Sequence, residues 1–110
     1  MSFDVIATDP FERKLKQLAK KYLSLPKDLL EVIDGLVENP QMGTPIGKDC
    51  YKIRVAVTSK GKGKSSGARL ITYVRIIQKR VFLLDIYDKS DQINITAKEL
   101  KMLIKLLSQE

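Results

Sequence analysis

Residues 68–87 read Ala68-Arg69-Leu70-Ile71-Thr72-Tyr73-Val74-Arg75-Ile76-Ile77-Gln78-Lys79-Arg80-Val81-Phe82-Leu83-Leu84-Asp85-Ile86-Tyr87, and this stretch decides the fold. A run of β-branched and aromatic residues from Ala68 to Ile77 is cut by the polar connection Gln78-Lys79-Arg80, and a second run follows from Val81 to Tyr87. Two strands joined by a tight turn give that pattern. Just upstream, Tyr51, Ile53, Val55 and Val57 alternate with Lys52, Arg54 and Ala56, the period of a half-buried strand. Three such strands in succession predict an antiparallel meander. Pleating sorts their side chains. Ile53, Val55, Leu70, Val74, Ile76, Phe82, Leu84 and Ile86 are expected inside. Lys52, Arg54, Arg69, Tyr73, Arg75, Asp85, Tyr87 and Lys89 are expected on the opposite face.

Before the meander lie a short strand at residues 3–7 and two helices. Asp9-Pro10-Phe11-Glu12 is a helix start, with Asp9 as expected cap, Pro10 at a position where a missing N–H costs nothing, and Glu12 three residues after the cap. Phe11, Leu15, Leu18 and Tyr22 make one apolar stripe, and Leu29, Ile33, Leu36 and Val37 make another after the break at Ser24-Leu25-Pro26. A helical hairpin follows from that. Residues 39–49, with two prolines and two glycines, read as a loop, and residues 59–67 as a basic hairpin tip. Thr96-Ala97-Lys98-Glu99 is a capping box that opens a last helix, with Leu100, Leu103, Ile104 and Leu107 facing inward. The expected class is α+β, an N-terminal strand and helical hairpin packed on a curved antiparallel sheet, with a C-terminal helix. Helices on one face would leave the other face open. At 110 residues and 44% hydrophobic content, one domain over 1–110 is expected.

Composition restricts the chemistry. No histidine is present, so a Ser-His-Asp triad and a histidine-pair ribonuclease are both excluded, and the lone Cys50 has no internal disulfide partner. Cys50 reads as a small buried hydrophobe. The aspartates Asp85, Asp88 and Asp91 diverge around a strand end, so no metal site is expected. No apolar run approaches the roughly 18–20 residues that span a bilayer, and the first residues lack a signal-peptide pattern, so no membrane partner and a cytoplasmic location are expected. The net charge is +7, and it is not evenly spread. Residues 48–80 hold ten basic residues and one acid, Asp49, whereas the rest of the chain holds ten basic and twelve acidic. A sheet face rich in Lys and Arg and carrying Tyr73 and Tyr87 suits single-stranded RNA, whose phosphates meet cations and whose unstacked bases meet rings. The same face also suits plain solubility.

Three stretches resemble the RelE/ParE toxin superfamily, and within it the HigB-like ribosome-dependent branch. They are Cys50-Tyr51-Lys52-Ile53-Arg54, Gly61-Lys62-Gly63-Lys64-Ser65-Ser66-Gly67-Ala68-Arg69 running on to Tyr73, and Phe82 to Lys89 with its Tyr-x-Lys ending at Tyr87 and Lys89. The resemblance implies the toxin of a type II toxin-antitoxin pair, an mRNA interferase that cuts message in the ribosomal A site. Its implied partners are a cognate antitoxin, expected as a small helix-turn-helix protein encoded alongside, the 70S ribosome and mRNA, with no cofactor. Lys52, Arg54 and Arg69 match the family's phosphate-binding and transition-state positions, and Tyr87 and Lys89 its C-terminal pair. Ser90 stands where some relatives carry an arginine, and Thr96 and its neighbours where they carry a further tyrosine.

Cleavage of this kind proceeds by attack of a 2′-OH on the adjacent phosphate. Arg54 and Arg69 suit the pentacoordinate oxyanion, since guanidinium groups donate in pairs. Lys52, crowded by positive charge, is the candidate base, with Asp85 as rival base or as a salt-bridge brace for Arg69. Tyr87 is expected to stack on a base or orient the ribose, and Lys89 to protonate the leaving oxygen. Lys60, Lys62, Lys64, Tyr73 and Arg75 are the expected RNA and ribosome contacts. Two other readings stay open: a ParE-like DNA gyrase poison, and an RNA- or ribosome-binding module that cuts nothing.

Overall fold

The computed structural model describes residues 2–60 and 67–107, with only the backbone of Lys60. In chain order the elements are β1 (Asp4–Ala7), α1 (Asp9–Lys21), α2 (Leu25–Glu38), β2 (Thr44–Gly47), β3 (Cys50–Val55), a 3₁₀ turn (Thr58–Lys60), β4 (Ala68–Arg75), β5 (Arg80–Asp88) and α3 (Ala97–Leu107). The strands form one sheet in the order β1-β5-β4-β3-β2. It is antiparallel from β2 through β5, and β1 joins the far edge parallel to β5, with Val5 opposite Val81. No helix among the described residues is long and apolar enough to cross a membrane.

Both faces of this sheet are covered. On one, α1 and α2 press Phe11, Leu25, Leu29 and Leu36 onto Ile53, Val55, Leu70, Val74, Val81, Leu83 and Ile86. On the other, Leu100 of α3 packs on Cys50, Ile71, Phe82, Leu84 and Tyr87. The expected open face is therefore roofed in part by the last helix. The stripe at Leu100, Leu103 and Ile104 needs an apolar surface, and Ile71 and Leu84 supply one. Its start is the expected capping box: Glu99 N–H donates to Thr96 Oγ1 at 3.1 Å, and Thr96 N–H donates back to the Glu99 carboxylate at 3.3 Å.

Several details depart from the sequence reading. Thr8, not Asp9, caps α1, its hydroxyl accepting from Phe11 N–H at 3.4 Å. Part of the expected 39–49 loop is the edge strand β2, closed onto β3 by a two-residue turn in which Lys48 (φ 55°) and Asp49 (φ 62°) are both left-handed. That is the backbone of a type I′ hairpin, which suits the right-handed twist of its strands. β4 stops at Arg75, so Ile76 and Ile77 sit in the turn, Ile77 at 97% exposure, and Ile76 is not inside. In β5 the alternation slips. Ile71 pairs with Asp85 but Thr72 with Leu83, leaving Leu84 as a bulge. Phe82 and Leu84 consequently lie on the α3 side, while Val81, Leu83 and Ile86 face α1 and α2.

Candidate functional site

The strand register gathers the candidate residues. Arg54 of β3 lies opposite Arg69 of β4, and Arg69 opposite Tyr87 of β5, so one row across three strands carries two guanidinium groups and a phenol. The next row is Lys52, Ile71 and Asp85. Alternation puts Lys52, Arg54, Arg69 and Tyr87 on the face that α3 partly covers. Like charges directly opposite on neighbouring strands destabilise a sheet, so the Arg54–Arg69 pair works against the fold.

Arg54 is exposed and Lys52 half-buried, but Arg69 is only 4% exposed and Tyr87 only 3%. Burial, and then the charge of Arg54, pull the Arg69 pKa down, against an opposing pull from Tyr87. One of its guanidinium nitrogens donates to the Ala68 carbonyl at 3.0 Å. Burial pushes the Tyr87 phenol up, partly offset by Arg69. Near neutral pH that phenol is a neutral hydrogen-bond donor beside a cation.

The connection after β5 lies against this row. Lys52 Nζ donates to Asn94 Oδ1 at 2.8 Å, and Tyr87 Oη donates to the Ile93 carbonyl at 3.4 Å. Lys89 is half-buried, and its N–H donates to the Gly67 carbonyl at 3.1 Å. Gly67 is needed there. A Cβ on it would sit 2.1 Å from the Val55 carbonyl oxygen, so only glycine lets β4 begin so close to the end of β3.

The acids fasten the frame. Asp85 forms an ion pair with Lys14 of α1 at 3.6 Å and accepts from Ile86 N–H at 2.9 Å. Burial raises its pKa, with Lys14 opposing and Glu99 adding to the rise. The bulge at Leu84 turns this carboxylate toward α1 and α3, so the expected brace for Arg69 is instead a tie between strand and helix. Asp88 is 2% exposed and accepts from Tyr22 Oη at 2.6 Å, from Ser90 N–H at 3.0 Å and from Ser90 Oγ at 2.7 Å, with Lys21 Nζ at 3.7 Å. It locks the turn that carries Lys89 to the end of α1.

The remaining expected contacts are spread out. Tyr73 packs on Phe82, with ring centroids 6.2 Å apart, and Arg75 stacks over both rings at 5.4 and 5.9 Å. Tyr73 lies four residues along β4 from Arg69, about 13 Å at a strand's rise. Lys62 and Lys64 lie outside the described residues, and of Lys60 only the backbone is described. Cys50 is buried, and burial pushes its thiol up to about 12. Among the described residues no group of three or more His, Cys, Asp or Glu is placed to hold a metal ion. Sequence reasoning missed Asn94, Tyr22 and Lys14. Each acts on a residue more than 40 positions away, and no local pattern marks such a pairing.

Fold and basic row together define the class: the family model described as the RelE toxin of the RelE/RelB toxin-antitoxin system matches residues 7–109, and the chain belongs to that family. Among solved structures it is similar to a mutant of the E. coli toxin RelE in the free state, with a TM-score of 0.62 and 21% identity over 96% of this chain and 97% of that one. It is similar also to that toxin mutant in complex with a peptide of its antitoxin, with a TM-score of 0.58 and 22% identity over 93% of each chain. The isolated E. coli RelE toxin matches with a TM-score of 0.57 and 19% identity over 96% of this chain and 99% of that one. At these identities the likeness is one of fold.

Proposed function

We propose that residues 1–110 form a single toxin unit of a type II toxin-antitoxin pair, which cuts mRNA in the ribosomal A site and so stops translation. The observation that carries this reading is the pairing of Arg54 with Arg69 across β3 and β4. Two arginines in one row of adjacent strands, Arg54 exposed and Arg69 buried, offer paired N–H donors, and a phosphodiester accepts from such donors in bidentate geometry. A phosphate meets the exposed Arg54 and the half-exposed Lys52 first, with Arg69 and Tyr87 behind.

In this reading the 2′-OH attacks the neighbouring phosphorus, which leaves a cyclic phosphate and a free 5′-OH, a route that needs no metal. Arg54 and Arg69 stabilise the pentacoordinate oxyanion, each worth about 3–4 kcal/mol in a preorganised site. Lys52 takes the 2′-OH proton, Tyr87 orients the ribose or stacks on a base, and Lys89 protonates the leaving 5′ oxygen. Lys60, Lys62, Lys64, Tyr73 and Arg75 meet RNA and ribosome through contacts that weaken with salt. The chain contains no imidazole, so the ribosome contributes by presenting message in line for attack. The Tyr87-x-Lys89 ending favours the HigB-like form of this activity. A cognate antitoxin is the proposed silencing partner, in keeping with the likeness to a toxin bound to its antitoxin peptide.

The test is an in vitro translation reaction with primer extension on the message. Cuts within A-site codons support the reading. Linearised plasmid with trapped gyrase would replace it with the gyrase-poison reading, and ribosome binding with no cut would leave a binding module.

A further inference from the structure

We propose that Asn94 is a positioning residue for Lys52: it grips the side-chain nitrogen through a neutral oxygen and so decides which way the nitrogen's electron pair points when Lys52 takes a proton. This deepens the RNA-cleavage reading and rests on its assignment of Lys52 as the base. The contact is long-range, Lys52 Nζ donating to Asn94 Oδ1 at 2.8 Å across 42 positions of chain. Both ends are set by the backbone. Lys52 lies on β3, opposite Ile71 of β4 on one side and Thr44 of β2 on the other. Asn94 is exposed and lies in a connection without regular structure, yet its neighbours are tied. The N–H groups of Asp91 and Gln92 donate to the Asp88 carbonyl at 3.0 and 3.2 Å, and Tyr87 Oη donates to the Ile93 carbonyl at 3.4 Å. Gln92 Nε2 donates to the Asn94 carbonyl at 3.2 Å, and the capping box at Thr96 follows.

The choice of partner has a chemical consequence. An amide oxygen accepts hydrogen bonds and donates none, so it holds a Lys52 hydrogen on its own side whether the nitrogen carries three hydrogens or two. The electron pair of the neutral amine is thereby kept off the connection and left for the open side of the face. A carboxylate there would supply the same direction, but its charge favours the ammonium, the form that cannot accept a proton. The acids of the neighbourhood are engaged elsewhere. Asp85, in the same cross-strand row, pairs with Lys14, and Glu99 at the start of α3 accepts from Thr96. Asp91 lines a crevice with Lys14 and Lys21, and Asp49 one with Arg75. The charged groups that share a surface with Lys52 are cationic: Lys48, which lines the same cavity, Arg54 on the same strand, and Arg69 in the next row.

The experiment uses the full-length chain and single-turnover cleavage of ribosome-bound message, read by primer extension across a pH series. Asn94→Ala removes the oxygen and should slow cleavage about tenfold at every pH, with the profile unmoved, the effect of one lost hydrogen bond to a reacting group. Asn94→Asp keeps the oxygen and adds a charge. It should move the rising limb of the pH–rate profile about one unit toward alkali and regain the parent's rate above that limb, where Asn94→Ala does not. Both variants change an exposed side chain, so their urea midpoints should match the parent's. Without RNA, NMR relaxation of the Lys52 ε-methylene should report faster internal motion in Asn94→Ala than in the parent or in Asn94→Asp.

Cleavage by Asn94→Ala at the parent's rate, or an Asn94→Asp profile that lies on the parent's, overturns the role and leaves the cleavage reading in place. So does an equal slowing of both variants with no shift, the pattern of a contact that only props the connection. A Lys52 side chain equally mobile in all three proteins also overturns it. A parent chain that cuts no message removes the cleavage reading and this role with it.

Discussion

Removing one oxygen at Tyr22 tests how the frame of the site is held. Tyr22 Oη donates at 2.6 Å to Asp88, a carboxylate 2% exposed at the end of β5. Tyr22→Phe keeps the ring, which packs against the core and lies 5.2 Å from Lys21 Nζ, and removes the hydroxyl that donates to Asp88 and also pairs with Lys21. Asp88 Oδ2 then retains Lys21 at 3.7 Å, and Oδ1 its two contacts from Ser90. A hydrogen bond to a buried charge is worth about 1.5–3 kcal/mol. With a urea m value of about 1.5 kcal/mol/M for a chain of this size, the unfolding midpoint should fall by about 1–2 M at unchanged m. Urea denaturation followed by far-UV circular dichroism measures this. A loss below about 0.5 kcal/mol, the range of a surface substitution, would refute the argument that Asp88 depends on α1 for its solvation.

Other substitutions read other parts of the molecule. The Asp85 pKa is raised in the folded protein, chiefly by burial, so the native state holds its proton more tightly than the unfolded chain does. Stability from this group is therefore lost as pH rises from the ordinary carboxylate value through the raised one. Asp85→Asn should be at least as stable as the parent at pH 7, with the difference shrinking as acid protonates Asp85, and a lower urea midpoint at pH 7 would contradict this. Asp49→Gly relieves a left-handed residue in the β2–β3 turn (φ 62°) and should raise stability by about 0.5–1 kcal/mol, read as a higher midpoint. Gly67→Ala forces a methyl to within 2.1 Å of the Val55 carbonyl oxygen and should cost about 3 kcal/mol or more, and a thermal midpoint equal to the parent's would contradict that close approach.

What the sequence made legible follows its periodicities. Alternation in residues 51–57, and in 68–75 despite the adjacent apolar pair Leu70-Ile71, placed Lys52, Arg54 and Arg69 on one face, where the strand register also puts them. Thr96 and Glu99 announced α3, and the stripes at Phe11 to Tyr22 and Leu29 to Leu36 announced the helical hairpin. Alternation is absent from Val81-Phe82-Leu83-Leu84, where four apolar residues run together, so the bulge at Leu84 and the turning of Asp85 toward Lys14 left no trace. A continuous apolar run also extended β4 too far, because the hydrophobicity of Ile76 and Ile77 does not reveal that the chain reverses there. β2 is disguised by Pro45 and Gly47, tolerable because it is an edge strand. The contacts of Asn94 with Lys52 and of Ile93 with Tyr87 are made by a connection with no regular structure. They arise from where α3 docks.

Arg54→Ala offers the most direct trial of the central claim, that the cations of β3 and β4 act together on a phosphodiester. Arg54 is exposed, so its loss leaves the core intact, whereas Arg69 is buried and its removal would confound chemistry with packing. Single-turnover cleavage of ribosome-bound message, read by primer extension, should slow by about 10²–10³-fold in Arg54→Ala, as expected when one preorganised donor to an oxyanion is lost, with the unfolding free energy from urea denaturation within about 0.5 kcal/mol of the parent's. A variant that cuts message at the parent's rate would contradict the account.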